Sequence, residues 1–121
     1  MLQTSYARQT LWDTGKGSKI DVVTGLMWQY PFSLTNVNWS SAENMCSSLS
    51  LSGKSDWRLP NIKELMSVQT QIVATFGFWS SSAVPGFADR RRAMSYAGQP
   101  VNLLTTTLNN VVCVRDTSHA N

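Results

Sequence analysis

The two cysteines of this chain, Cys46 and Cys113, constrain its fold more than any other feature, because they are the only two in 121 residues. A bond between them would close a loop of 113 − 46 = 67 residues. By chain-entropy reasoning, such a bond stabilises the folded state by roughly 4 kcal/mol. The alternative is two free, buried cysteines. A zinc site is not predicted, because the single histidine, His119, lies near the chain end and cannot complete a ligand set with them.

The length and composition predict one folded domain. Hydrophobic residues make up 42% of the chain and charged residues only 14%, against about 25% charged residues in an average soluble protein. We expect the domain to span residues 5–116 and residues 117–121 to form a flexible tail. No segment approaches the roughly 20 apolar residues of a membrane span, and no hydrophobic leader follows Met1. The net charge of +3 is too small to predict nucleic-acid binding.

The hydrophobic pattern predicts strands at both ends of the domain and helices between them. Residues 18–23 and 26–28 are predicted strands joined by a turn at Thr24 and Gly25, and residues 31–38 are predicted to be a loop. Later in the chain, residues 78–82, 93–96 and 111–115 are predicted strands, with loops at 85–86 and 98–110. Strands, two helices and strands again are typical of an α+β domain with an antiparallel sheet.

Two helices are predicted in the middle of the chain. In the first, Ser40 and Glu43 have the spacing of a capping box, and Gly53 is the predicted stop. Its buried stripe would consist of Ala42, Met45, Cys46 and Leu49. The second helix is predicted to begin after Pro60, with Asn61 as the N-cap and Glu64 three residues later. Its apolar face would consist of Ile62, Leu65 and Met66.

Four segments resemble a bacterial domain family typified by the C-terminal domain of the Lcl collagen-like adhesin. They read TGLMWQ at 24–29, SDWRLPNIKEL at 55–65, FWSSS at 78–82 and VCVR at 112–115. The resemblance implies a C-type-lectin-like fold with two helices packed on antiparallel β-sheets, in which Cys46 of the first helix bonds to Cys113 of the last strand. It also implies an extracytoplasmic location. The adhesin member binds sulfated polysaccharides and forms trimers, but this chain is short at 65–78 and 83–110, where such folds place binding loops.

The family motif residues are predicted to be structural. We expect Trp57 to be a core aromatic, Asp56 and Arg58 to hold the surrounding backbone by charge-assisted hydrogen bonds, and Pro60 to release the chain into the second helix. A catalytic role is disfavoured, because neither Asp56 nor Arg58 has a nucleophile or histidine nearby in sequence. Three tryptophans could form a sugar-stacking platform, although the core is favoured for two of them, Trp28 and Trp79, and a hydrophobic staple is the alternative for Trp39.

The arginine run Arg90, Arg91 and Arg92 is the predicted ligand-binding site, together with Tyr96 and Asn102. Three guanidinium groups in one loop could bind sulfate, phosphate or carboxylate groups in bidentate fashion. The alternative is a solvated loop that Asp89 partly neutralises. If the run instead lies in a strand, alternation turns Arg91 away from its two neighbours.

No cofactor or metal is predicted. The calcium-dependent sugar-site motifs of C-type lectins are absent, and seven scattered acidic residues do not suggest a calcium cage. The leading hypothesis is therefore a non-catalytic extracytoplasmic binding or adhesion module. Its ligand, a glycan, an anionic polysaccharide or a protein, would bind through the loops of residues 83–110.

Two other functions remain open. The first is a structural, homo-oligomeric or variable ligand-display domain, in which Asn102, Asn109 and Asn110 would present the variation. The second is an enzyme related to formylglycine-generating enzymes, which use a reactive cysteine pair.

Overall fold

The structure is a computed structural model that describes residues 11–30, 33–68, 77–95 and 99–117. Within these residues the order of elements is four strands, two helices and five strands. The sequence predicts the order of strands, helices and strands, but with two strands before the helices and three after them. The strands are β1 (Leu11–Asp13), β2 (Ser18–Asp21), β3 (Leu26–Gln29), β4 (Ser33–Val37), β5 (Phe78–Val84), β6 (Phe87–Met94), β7 (Pro100–Leu104), β8 (Asn109–Val111) and β9 (Val114–Asp116); the helices are α1 (Trp39–Ser47) and α2 (Ile62–Val68).

The first sheet joins the two ends of the domain. Its strand order is β1-β2-β3-β9, and every pairing is antiparallel. The tight turn between β2 and β3 is closed by a hydrogen bond from the Gly25 amide to the Asp21 carbonyl at 2.9 Å. Gly25 has a φ of +76°, which glycine adopts without the strain that a side chain would add. The TGLMWQ segment is therefore a turn followed by a buried strand, as predicted.

The second sheet carries the predicted site. Its strand order is β4-β8-β5-β6-β7. The predicted fold had purely antiparallel sheets, but β5 and β8 run parallel where Phe78 faces Asn110, so this sheet is mixed. The prediction of loops at 31–38 and 98–110 was also wrong in part, because these ranges contain β4, β7 and two residues of β8. The periodicity of β7 is hard to read because it starts at a proline and alternates exposed with half-buried residues.

Two clusters of buried side chains form the core, one on each side of the second sheet. The cluster toward α2 contains Trp28, Leu65 and Phe78, and the cluster toward α1 contains Trp57 and Trp79. Trp28 and Trp79 have no exposed surface, so neither can stack on a sugar, and the core interpretation of both is confirmed. The indole of Trp79 donates to the Val37 carbonyl at 2.8 Å, which satisfies its one buried donor.

The start of α1 differs from the prediction. Asn38, and not Ser40, is the N-cap, because its side-chain oxygen accepts from the Ser41 amide at 3.0 Å. The helix begins two residues earlier than the capping-box pattern suggests and already ends at Ser47, before the predicted stop at Gly53. Trp39 is consequently the first helical residue and not a staple ahead of the cap.

The start of α2 matches the prediction. The Glu64 amide donates to the side chain of Asn61 at 2.8 Å, and the Asn61 amide donates to the Glu64 carboxylate at 2.8 Å. This reciprocal pair is a capping box that satisfies two amides at the helix start. Leu65 is fully buried, while Ile62 and Met66 are half-buried, so the predicted apolar face lies against the sheet.

The disulfide between Cys46 and Cys113 is present, with the two Cα atoms 5.4 Å apart. Cys46 lies in α1, but Cys113 lies just before β9 and not inside a strand, because the predicted strand 111–115 is broken into β8 and β9. At this break the chain passes from the second sheet to the first. The amide of Cys113 donates to the side chain of Gln29 at 3.1 Å, and its carbonyl accepts from the Gln29 amide.

At the C-terminal end of the described residues, hydrogen bonds extend just past the predicted domain boundary. Hydrogen bonding extends to Thr117, whose amide donates to the Gly25 carbonyl at 2.9 Å, one residue into the predicted tail. Residues 5–10 of the predicted domain and residues 118–121 of the tail lie outside the described residues. In the part of the chain that is described, no helix is long and apolar enough to cross a membrane.

Candidate functional site

The arginine run lies in strand β6 and not in a loop, which corrects the predicted setting of the site. Strand β6 pairs with β5 on one side and with β7 on the other, and only Pro85 and Gly86 form the connection between β5 and β6. The sequence obscures this strand because three consecutive arginines show no alternation of apolar and polar residues. The burial does alternate in its partner β7.

Strand geometry separates the three arginines. As expected if the run lies in a strand, Arg91 points away from Arg90 and Arg92. Arg91 faces α1, where its guanidinium carbon lies 4.3 Å from the centre of a Trp39 ring. One of its terminal nitrogens also donates to the Arg90 carbonyl at 2.8 Å. The Trp39 indole in turn donates to the Ser80 carbonyl at 2.9 Å. Arg91 is therefore held by structural contacts and is not placed beside its two neighbours.

Arg90 and Arg92 lie on the opposite side of the sheet and share it with two residues of β7. Arg90 pairs in register with Leu104, and Arg92 pairs with Asn102. We call these four residues the β6–β7 face. Leu104 and Asn102 are exposed, and the Arg90 side chain is 43% exposed. The structure thus brings together three of the five predicted site residues. Tyr96, a further one, lies outside the described residues.

The charges of the β6–β7 face are weakly compensated within the described residues. The nearest carboxylate oxygen to Arg90 is that of Asp89, at 3.9 Å from its Nε, and Asp89 is itself largely exposed. Arg90 also stacks on the exposed ring of Phe87, with 4.6 Å between the guanidinium carbon and the ring centre. No described carboxylate lies within 4.0 Å of Arg92. The face is therefore positive and carries exposed apolar surface beside its charges.

A groove of about 510 Å³ continues the β6–β7 face toward helix α2. We call it the α2–β6 groove; its walls are formed by Ile62, Lys63, Met66, Ser67, Arg92 and Pro100. Lys63 and Met66 are site residues that the sequence did not reveal. Ile62 and Met66 are one helical turn apart and share a face of α2, but no local pattern indicates that this face borders β6.

The predicted display positions differ in what they can present. Asn102 is exposed, whereas the side chain of Asn110 is hydrogen-bonded within the domain. Its side-chain nitrogen donates to the Gly77 carbonyl at 3.1 Å, and its side-chain oxygen accepts from the Asn36 amide at 3.2 Å. The side-chain oxygen of Asn109 accepts a hydrogen bond from the Asn110 amide at 2.9 Å. Variation at Asn110 would break contacts between strands, and variation at Asn109 would remove a hydrogen bond to the next residue.

The family motif residues make ion pairs away from the β6–β7 face. Asp56 accepts two hydrogen bonds from the buried Arg115 side chain, at 2.6 and 3.2 Å, and these hydrogen bonds lower the pKa of Asp56. Arg58 donates one hydrogen bond to the surrounding backbone, at the Leu59 carbonyl at 3.3 Å, as predicted, but the main partners of Asp56 and Arg58 are side chains. Trp57 is buried as predicted and donates to the carbonyls of Leu51 and Lys54.

Arg58 binds Glu64 through two parallel hydrogen bonds of 2.9 Å. Burial raises the pKa of Glu64, but the hydrogen bonds from Arg58 and Asn61 and the charge of Arg58 outweigh it, so the pKa of Glu64 lies below its usual value. The backbone of Arg58 also pairs with Val114 of β9 through two hydrogen bonds of 2.8 Å. The motif therefore joins helix α2 to the last strand.

Comparison with known proteins identifies the family of the chain and a similar fold. The family model of the Lcl C-terminal domain matches residues 17–115 of the chain. The chain belongs to the Lcl C-terminal domain family. Among solved structures, the chain is similar to botrocetin, a C-type-lectin-like protein, with a TM-score of 0.53 and 11% sequence identity over 90% of this chain and 98% of that one. No curated protein sequence gives a significant match.

These comparisons account for the fold of this Lcl C-terminal domain. The resemblance to botrocetin supports the predicted C-type-lectin-like arrangement of two helices, two sheets and a disulfide. In the described part of this Lcl C-terminal domain, no three His, Cys, Asp or Glu side chains are grouped so that they could hold a metal ion. The β6–β7 face and the α2–β6 groove combine positive charge with apolar surface.

Proposed function

We propose that this domain is a non-catalytic, extracytoplasmic binding module that holds an anionic ligand on its β6–β7 face. One observation carries the proposal: Arg90 and Arg92 lie side by side on an accessible face of the sheet, and no carboxylate of the described residues lies closer than 3.9 Å to either. Guanidinium groups bind sulfate, phosphate and carboxylate oxygens by paired hydrogen bonds. Asn102, across from Arg92, adds a neutral donor and acceptor.

A binding role suits the cysteines better than an enzymatic one. Cys46 has no exposed surface and Cys113 has 2%, and the two sulfurs are bonded to each other. A reactive cysteine pair needs access for its substrate and a thiolate that can attack it. The buried bond of this domain supports a structural role. A bond of this kind also supports an extracytoplasmic location, because thiols are kept reduced in the cytosol of most organisms.

The proposal is tested by retention on heparin resin, which offers sulfate and carboxylate groups on a polysaccharide. We expect the double variant Arg90→Ser/Arg92→Ser to elute at clearly lower salt than the unaltered domain. The matched control is Lys16→Ser/Lys54→Ser, which removes the same formal charge from two exposed lysines outside the face. A glycan and polysaccharide array at physiological salt then identifies the ligand.

The control decides between specific and general attraction. If the lysine variant loses as much retention as the arginine variant, only the net charge of +3 attracts the resin, and the proposed face is wrong. The single variant Arg91→Ser adds a second control. Because Arg91 lies on the other side of the sheet against Trp39, its loss should reduce retention less than the loss of Arg92.

A further inference from the structure

The walls of the α2–β6 groove combine two kinds of chemistry. Ile62, Met66 and Pro100 provide an apolar surface, and Lys63 and Arg92 provide two cations. A volume of about 510 Å³ lies within the range of about 300–1,000 Å³ that is usual for ligand pockets. Methionine adapts its shape to different partners because it is unbranched and has three rotatable bonds. The groove can therefore receive a large apolar group next to a negative one.

The two cations of the groove lack partners of opposite charge within the described residues. No acidic side chain lines the groove, and neither Lys63 nor Arg92 lies within 4.0 Å of a described carboxylate oxygen. The Nε of Arg92 is buried and has no hydrogen-bond partner among the described residues. An unsatisfied buried donor is energetically unfavourable. The guanidinium group of Arg92 therefore retains hydrogen-bonding capacity that the described residues do not use.

The composition of the groove favours a polypeptide over a polysaccharide. Sugar rings pack their apolar faces on aromatic side chains, and no aromatic residue is among those that line the groove. Aliphatic side chains such as leucine instead gain binding free energy in proportion to the apolar surface that they bury.

We infer that the α2–β6 groove binds an extended segment of a partner protein in which a large apolar side chain stands next to a carboxylate. The apolar side chain would pack between Met66 and Pro100, and the carboxylate would bind Arg92 with Lys63 beside it. This inference rests on the proposed function, because Arg92 also belongs to the β6–β7 face. It narrows the ligand from any anionic molecule to a polypeptide that carries both carboxylate and apolar side chains.

Three fluorescent hexapeptides test the inference by anisotropy at physiological salt. The probe has three Asp-Leu repeats, and its two comparators have three Asn-Leu and three Asp-Ser repeats. We expect the Asp-Leu peptide to bind the domain at least about fivefold more tightly than either comparator, because both the carboxylates and the apolar groups contribute. Equal binding of the Asp-Leu and Asp-Ser peptides would show attraction by charge alone and would overturn the inference, as would no binding of the Asp-Leu peptide.

Variants locate the binding and separate it from retention on heparin. Arg92→Gln and Met66→Gln should each weaken Asp-Leu binding by roughly fivefold, whereas Lys16→Gln, which removes an exposed cation outside both the β6–β7 face and the α2–β6 groove, should change it by less than about twofold. Thermal melting checks the fold of each variant. Should Met66→Gln melt early, Pro100→Ser replaces it, because Pro100 is exposed.

The outcomes distinguish the two proposals. If Met66→Gln, or Pro100→Ser in its place, binds the peptide as tightly as the unaltered domain, the groove inference is wrong. The heparin experiment is unaffected by that result, because it depends on Arg90 and Arg92 and not on Met66. Loss of selective heparin retention, with selective peptide binding intact, would instead contradict the polysaccharide ligand and leave a protein ligand.

Discussion

Two pairs of arginines in this domain differ in whether a carboxylate of the protein binds them. Arg58 and Arg115 each bind a carboxylate through two hydrogen bonds, with Glu64 and Asp56 respectively. Arg90 and Arg92 have no described carboxylate within 3.9 Å. A bidentate ion pair fixes the orientation of a guanidinium group, so it is no longer available to a ligand. The comparison therefore separates arginines that hold the fold from arginines that a partner can use.

The two regions also differ in how they are tied to the rest of the domain. The anchored region contains the disulfide, the two ion pairs and the capping box of α2. The β6–β7 face belongs to the outer part of the second sheet, where β7 pairs only with β6 among the described strands. If this division is correct, substitutions in the anchored region should lower stability, and substitutions in the face should lower binding.

The largest effect is expected from the disulfide. The double variant Cys46→Ala/Cys113→Ala opens a loop with a sequence separation of 67 and should lower the free energy of unfolding by about 4 kcal/mol. Urea denaturation measured with and without a reducing agent checks this. Reduction should have the same effect on the unaltered protein and none on the variant. A loss below about 1 kcal/mol would mean that the two ion pairs, and not the disulfide, hold the anchored region.

The next effect is expected from Asp56. Asp56→Asn leaves the buried Arg115 without its negative partner, which destabilises the fold by about 1–2 kcal/mol. The figure is kept below that of a fully buried pair because the Asp56 side chain is 61% exposed and therefore partly screened by water. Thermal denaturation at neutral pH measures the loss.

The same pair predicts how stability depends on pH. Its hydrogen bonds to Arg115 hold the pKa of Asp56 below its ordinary value of 3.8. A carboxyl group with a lowered pKa in the folded state stabilises the protein above its ordinary pKa and loses this contribution as the pH falls through the folded-state pKa. The stability difference between Asp56→Asn and the unaltered domain should therefore shrink below pH 3.8. A difference that is constant with pH would contradict the ion pair.

A smaller effect is expected from Glu64. Glu64→Gln retains an acceptor for the Asn61 amide, and thus the capping box, but removes the charge that Arg58 binds. Because Arg58 is partly exposed, the loss should be about 0.5–1 kcal/mol. Glu64→Ala removes the capping hydrogen bond as well and should lose about 1 kcal/mol more. Chemical denaturation of both variants separates the two contributions, and equal losses would show that the ion pair contributes all of them.

The smallest effect on stability is expected from the β6–β7 face. Arg90→Ser should change the free energy of unfolding by about 0.5 kcal/mol, because its nearest carboxylate is exposed and 3.9 Å away and the Phe87 ring on which it stacks is exposed. Arg91→Ser should lose more, about 1 kcal/mol, since it removes a cation stacked on Trp39. Thermal melting of the two variants compares them directly. A larger loss for Arg90 would move it to the anchored region.

Local patterns were enough to predict much of the anchored region. The capping box at Asn61 and Glu64 depends on residues three positions apart, and the burial of Trp28, Trp57 and Trp79 follows from their size and apolar character. The pairing of Cys46 with Cys113 came from family resemblance, because no local rule connects residues 67 positions apart. The pairing of Asp56 with Arg115, 59 positions away, was not predicted for the same reason.

The β6–β7 face was harder to predict because it depends on contacts between distant segments. A run of three arginines gives no sign of which face each one occupies until the strand and its neighbours are known. The α2–β6 groove requires Lys63 and Met66 of one helix to meet Arg92 and Pro100 of two strands. The sequence showed the positive charge of this groove as a run of arginines, but it did not show which apolar residues would lie beside Arg92.

The covalent loop has a mechanical consequence for a domain that holds a partner. Strands β5 to β8, including the β6–β7 face, all lie between Cys46 and Cys113 in the sequence. When the chain is pulled from its two ends, tension passes through the bridge and not through these strands. A separation of 67 residues corresponds to about 230 Å of extended chain, and stretching would release none of this length. The surface that holds the ligand would thus stay out of the path of the force.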